Sequence, residues 1–222
     1  MSLMASLQSH EEADEACSFD INNELAYVKS LWPSICEALS TEESSHIVAM
    51  NSILQRMVVL QRNINLARES EMPADFVREE IELAVEQIKD AALSMSDHLP
   101  QSKGLAIGFA IFAQLSWLDE PQIGSLGLGS LARAMMKEMR KPGIRLFTYL
   151  HWSVWQLLLG NLAASDAETK AWFQGSMRAI AELAMGARPQ DIMDYVLFLT
   201  VQPNPRILPS FEAAWYDIHK YD

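Results

Sequence analysis

Glu43-Ser-Ser-His46 sets a carboxylate and an imidazole three positions apart, which on a helix is the ligand spacing of a di-iron bundle. Such a centre needs that motif twice plus two further inward carboxylates, and the chain holds no second copy. Asp191 and Asp194 could share a helix face to hold Mg²⁺ and a pyrophosphate. They lie beside the apolar run Tyr195-Val-Leu-Phe-Leu199, with no companion carboxylates. Gly124-Ser-Leu-Gly127-Leu-Gly129-Ser130 has the look of a phosphate cradle, yet it follows no strand pattern and lacks a Gly-Lys-Ser/Thr ending, so it reads as a loop. His151 and Ser153 point about 200° apart on a helix and cannot pair as base and nucleophile. Asp97-His98 adjoins a helix end before Pro100, where a charged pair caps and solvates. Cys17 and Cys36 offer neither a disulfide framework nor zinc-ligand spacing. No catalytic residue, metal site or cofactor is therefore assigned.

Two constellations remain. His151, Trp152 and Trp155 fall in a helix expected to be buried, and Trp152 and Trp155 share a face with Leu158 and Leu159 one turn on. That stripe is plain core or, alternatively, the lining of an apolar ligand pocket between helices. Arg133, Lys137, Arg140, Lys141 and Arg145 form a basic run interrupted only by Glu138. It is either a solvated face complementing the acidic half and the helix C-terminal dipole, or a partner-facing patch.

The elements that must position these residues are all helical. Leu, Ala and Met outweigh β-branched residues, and no run alternates apolar and polar long enough for a strand. Asn22 to Leu39 reads as a helix interrupted near Pro33. Thr41 caps a long one to about Ser70, and Pro73 opens the next, to about Ser96, as its antiparallel partner. Gly104 to Leu118 is apolar on every side, and Ile144 to Leu162 is apolar on both faces. These are two buried central helices. Pro121 to Gly129 reads as a loop before the helix Leu131–Arg140. Ser165 and Glu168 form a capping box for the Trp172-Phe173 helix, which ends near Gly186. Pro189 opens a shorter helix to about Leu199, and Ser210 caps the last one. The expected fold is an all-α, single-domain array of about eight or nine helices over residues 21–222. Residues 1–20, with Glu11, Glu12, Asp14, Glu15 and Asp20, read as a disordered acidic tail.

Half of the 222 residues are hydrophobic, ample for a sizeable core. The formal charge of −12 is lopsided: residues 1–120 carry 20 acidic and 7 basic side chains, residues 121–222 carry 9 and 10. This balance repels a phosphate backbone, so no direct binding of nucleic acid is expected. The longest apolar stretch, Gly104 to Leu118, is about 15 residues against the roughly 20 that span a bilayer, and no secretory signal opens the chain. An intracellular protein, nuclear or cytoplasmic, is expected, with no membrane partner.

Four of the six tryptophans fall between positions 152 and 215. The order Leu150-His-Trp152, Leu157-Leu-Leu-Gly160-Asn-Leu-Ala-Ala164, Trp172-Phe173, Phe198-Leu199 and Ala213-Ala-Trp215 resembles the C-terminal regulatory domain of fungal zinc-cluster transcription factors. The likeness is clearest over residues 144–218 and looser upstream. It implies a non-catalytic regulatory, effector or protein-interaction domain, acting through partners of the transcription machinery or a small hydrophobic effector, with a homodimer through an apolar helix face as a further expectation. The zinc-cluster DNA-binding region is missing, since two cysteines cannot build it. An alternative is a stand-alone helical protein of fungal secondary metabolism that binds or transforms an apolar substrate in a Trp/Met-lined cavity.

Overall fold

A computed structural model describes residues 44–70, 74–98, 100–118, 126–142, 150–183 and 208–219. Among these the chain forms seven α-helices and no strand: α1 (Ser44–Glu69), α2 (Ala74–Leu93), α3 (Pro100–Trp117), α4 (Leu126–Met139), α5 (Leu150–Ala163), α6 (Ala167–Leu183) and α7 (Leu208–His219). The all-α expectation holds. The expected helices at Asn22–Leu39 and Pro189–Leu199 lie outside the described residues, as do the acidic segment 1–20, Cys17, Cys36, Glu43, Arg145, Asp191 and Asp194.

Helical periodicity explains the first two elements. On α1, Met50, Ile53, Leu54, Met57 and Leu60 recur at three- and four-residue steps and are buried. On α2, Val85, Ile88 and Ala92 do the same, while Glu79, Glu80, Glu82 and Glu86 face solvent. The Arg56 guanidinium donates to Gln87 Oε1 at 3.1 Å. Those two residues are equally distant from the middle of the connection at 70–73, which is the register of an antiparallel hairpin.

Helices α3 and α5 are central. From Gly104 to Trp117 every residue of α3 is buried, and from Trp152 to Asn161 every residue of α5 is. A helix apolar around its whole circumference needs neighbours on all sides. α3 accordingly packs against α1, α2, α4 and α5, and α5 against α3, α4, α6 and α7. Glycine permits the closest of these approaches. A Cβ at Gly108 would stand 2.9 Å from Cζ3 of Trp155, and one at Gly160 would overlap the Phe173 ring.

Several boundaries differ from the sequence reading. α3 begins at Pro100 rather than Gly104, because proline suits the first turn of a helix. The loop expected over Pro121–Gly129 ends earlier, since α4 already starts at Leu126. Gly127 and Gly129 are thus helical. Gly129 is buried where a Cβ would collide with Ser165, and Leu128 beside it is in the core, so tertiary packing overrides the glycine-rich loop signal. The cap of α6 lies one residue later than expected. Asp166, not Ser165, accepts the backbone N–H of Thr169 at 2.8 Å, and Thr169 Oγ1 donates to its other carboxylate oxygen at 2.9 Å. Ser210 lies inside α7 rather than capping it, with Pro209 in the first turn.

Candidate functional site

The tryptophans of α5 sit in a ring cluster shared with α3. Trp155 is fully buried. It packs on Phe109 with centroids 5.0 Å apart and on Phe112 at 6.1 Å, both tilted. Trp152 meets Trp155 edge-on at 5.6 Å and Phe109 at 5.9 Å, and Trp117 closes on Phe112 at 5.9 Å. These separations lie in the range where edge-to-face aromatic pairs attract beyond their area burial. Gly108 fixes how deep Trp155 can sit. The cluster joins two central helices whose register is set by small-against-large packing. Among the described residues the buried indole N–H of Trp155 has no hydrogen-bond partner, a state it shares with Arg62 Nε and Asn161 Oδ1. Buried donors nearly always find one. His151 is in the first turn of α5, and its side chain lies outside the described residues.

The other tryptophans of the block are distributed rather than gathered. Trp172 is half-buried on α6, edge-on to Phe173 at 5.0 Å, and Trp215 is buried on α7, which packs against α5 and α6. The spaced tryptophans thus anchor α5, α6 and α7 separately.

The basic run divides into two kinds of residue. Arg133 and Lys137 on α4, and Arg140 just past its end, are exposed at the i, i+4, i+7 spacing of one face. Arg133 Nε lies 3.8 Å from Asp166 Oδ2 and donates to the Gly129 carbonyl at 3.4 Å. Lys141 instead turns inward. Its Nζ reaches Glu138 Oε2 at 2.5 Å and donates to the backbone carbonyl of Asp97 at 3.0 Å. Lys103, largely buried, pairs with the Asp97 carboxylate at 2.5 Å. The Asp97 pKa is lowered from its ordinary value, first by the Lys103 hydrogen bond and charge and then by Lys141. Asp97, expected to cap a helix end, instead pairs its carboxylate with the Lys103 side chain, and its backbone carbonyl ties the α2–α3 turn to the end of α4.

Glu138 is the residue that sequence reasoning passed over. It interrupts the basic run, yet it is only 2% exposed, and Gly104 of α3 comes close to its Cβ. A signal was present: Leu131, Met135 and Glu138 share the buried face of α4, and Lys141 follows three positions on, within reach of the carboxylate. Burying a carboxylate is costly unless it is paired and hydrogen-bonded, as Glu138 is by Lys141.

Among the described residues no group of three or more His, Cys, Asp and Glu side chains gathers closely enough to hold a metal ion. No described helix is long and apolar enough to cross a membrane. The class defined by this geometry is an all-helical array around two buried helices, with an aromatic junction between them and a basic stripe on α4. Set against known protein families, characterised proteins and solved structures, the chain matches none of them.

Proposed function

We propose that this chain is a non-catalytic regulatory or protein-interaction domain of the kind its tryptophan block resembles, the regulatory domain of fungal zinc-cluster transcription factors without the DNA-binding part. The observation that supports it most is the use of Trp152 and Trp155. Both are buried in the α3–α5 ring cluster and hold the array together. Buried aromatic anchors of this kind build a scaffold, and recognition then falls to its exposed faces. The stripe of Arg133, Lys137 and Arg140 is one such face, suited to an acidic partner of the transcription machinery. In this reading the chain works in the nucleus and does not bind DNA by itself.

Tethering the full chain to an unrelated DNA-binding domain tests the proposal. Reporter transcription is expected to change, and to return towards baseline with Lys137→Glu and Arg140→Glu. A reporter that ignores the tethered chain would overturn it. An electrophoretic shift of DNA by the purified chain at physiological salt would contradict the claim that it lacks a DNA reader.

The second reading, an apolar-substrate or effector site, has one observation on its side. The unpartnered indole N–H of Trp155 is the donor that a small molecule with an apolar body and a polar acceptor would use. Native mass spectrometry of the chain from its own host tests it, because a bound metabolite and the protein stoichiometry appear in one spectrum.

A further inference from the structure

Large hydrophobic side chains more than a third exposed are concentrated in one place. Among the described residues there are five, Val59, Leu66, Leu83, Leu93 and Tyr216, and four of them belong to the α1–α2 hairpin. None belongs to α3, α4, α5 or α6. Scattered single cases would need no explanation, but three of these share one surface. Val59 and Leu66 are seven positions apart and so occupy one side of α1. The Arg56–Gln87 hydrogen bond fixes the register of the two helices. One turn onward along α1 and one turn back along α2 from that bond bring Val59 and Leu83 to the same level of the hairpin's outer side. Leu83 is 56% exposed, more than any other large hydrophobic described.

The surroundings of this patch are acidic. Glu79, Glu80, Glu82, Glu86 and Asp90 are all exposed on α2. On α2 both cations are already engaged, Arg78 lying 3.9 Å from Glu82 and Lys89 pairing with Glu86, and on α1 the exposed Arg56 is held against the neutral Gln87. Glu79, Glu80 and Asp90 remain as uncompensated charge around Leu83. An apolar centre with a charged rim is the anatomy of a recognition surface, and the sign of the rim selects the partner. A second copy of the same face would bring carboxylates against carboxylates. Nucleic acid and anionic lipid would be repelled as well.

We infer that the outer face of the α1–α2 hairpin is a docking surface for a basic amphipathic helix, whose apolar ridge covers Val59, Leu66 and Leu83 and whose lysines or arginines meet Glu79, Glu80 and Asp90. A helix laid along a two-helix groove reads its partner through apolar anchors at i, i+3/i+4 and i+7. This inference rests on the interaction reading above but uses a face on the opposite charge side from the α4 stripe. The protein thus presents two surfaces of opposite sign.

The test uses the full chain and an 18-residue model helix with leucine on one face and lysine on the other, followed by fluorescence anisotropy. Binding is expected, weakening as salt rises. Val59→Ser with Leu83→Ser should weaken it by roughly tenfold or more through lost apolar contact. Glu79→Gln with Glu80→Gln should flatten the salt dependence. Equal affinity for the wild type and the Val59/Leu83 variant would overturn the hairpin surface, as would no binding at all. Either result leaves the interaction reading to be judged by the tethered reporter, whose outcome does not depend on this peptide.

Discussion

The α3–α5 junction and the α1–α2 hairpin are both built from apolar helices, yet they treat their apolar residues in opposite ways. At the junction every large ring is enclosed, and Gly108 of α3 admits Trp155 of α5, just as Gly160 of α5 admits Phe173 at the adjoining α5–α6 contact. On the hairpin the inward stripe of Met50, Leu54 and Met57 is enclosed, but Val59, Leu66 and Leu83 face solvent. Interior packing is close to crystalline density, so a junction of this kind tolerates little change of volume. An exposed side chain has no such constraint. The contrast separates residues that determine stability from residues available for recognition.

The contrast would break first at Trp155. Trp155→Ala should destabilise the fold by about 3–5 kcal/mol, measured by urea unfolding, because it removes a fully enclosed indole and leaves a cavity. A variant of unchanged stability that had lost an effector would move Trp155 from scaffold to site. Next in size is Gly160→Ala. Alanine favours a helix over glycine by about 1 kcal/mol, so propensity alone predicts a gain. The added methyl, however, falls on the enclosed Phe173 ring, and overpacking of that kind costs about 1–3 kcal/mol. A net loss is expected. A more stable Gly160→Ala protein would show that the α5–α6 contact yields more readily than close packing at the Phe173 ring allows.

How much of this was legible in the sequence follows from what each signal measures. Gly104 to Leu118 reads as buried because no face of it is polar, and the structure encloses that whole stretch apart from the half-buried Leu118. The α1–α2 hairpin reads correctly from two amphipathic stripes and a proline between them. The start of α4 does not, because glycine spacing reports backbone freedom and says nothing of the Ser165 side chain that Gly129 must accommodate. Glu138 was missed for a related reason. Its charge suggests solvent, while its burial depends on Lys141 and on the close approach of Gly104, contacts between helices that composition does not encode. Of the candidate site, Trp152 and Trp155 are brought together on one junction, whereas the basic run is divided between an outer stripe and the inward Lys141.

Between the two regions in expected effect lies the cap of α6. The Asp166 pKa is lowered from its ordinary value near 3.8, first by the Thr169 backbone N–H and then by the Thr169 hydroxyl; burial opposes them, and Arg133 adds a lesser pull in the lowering direction. A folded-state pKa below the unfolded one means that the unfolded chain binds the proton more readily. The stabilisation is therefore present above the ordinary carboxylate value and is lost as pH falls through the lower folded one. Asp166→Ala should lower the melting temperature at neutral pH by less than Gly160→Ala does. Asp166→Asn should retain much of the cap and flatten the decline of stability below about pH 4. An unaltered acid limb in Asp166→Asn would remove this carboxylate from the acid response and leave Asp97, held down by Lys103, to account for it.

The smallest effect is the most discriminating. Val59→Ser and Leu83→Ser each replace an exposed apolar side chain with a small polar one, and substitutions at such positions usually change stability by no more than about 0.5 kcal/mol. Serine has a somewhat lower helix propensity than leucine, so a slight loss is the expected sign. If the hairpin were merely an incompletely covered part of the core, the same changes would cost as much as core truncations, and the distinction from the α3–α5 junction would vanish. If the hairpin is a recognition surface, thermal unfolding stays near wild type while affinity for a basic amphipathic helix falls. Stability and binding must therefore separate at Val59 and Leu83 and move together at Trp155. That separation follows chiefly from enclosure, since the chain already covers Trp155 completely and leaves Val59 and Leu83 facing solvent.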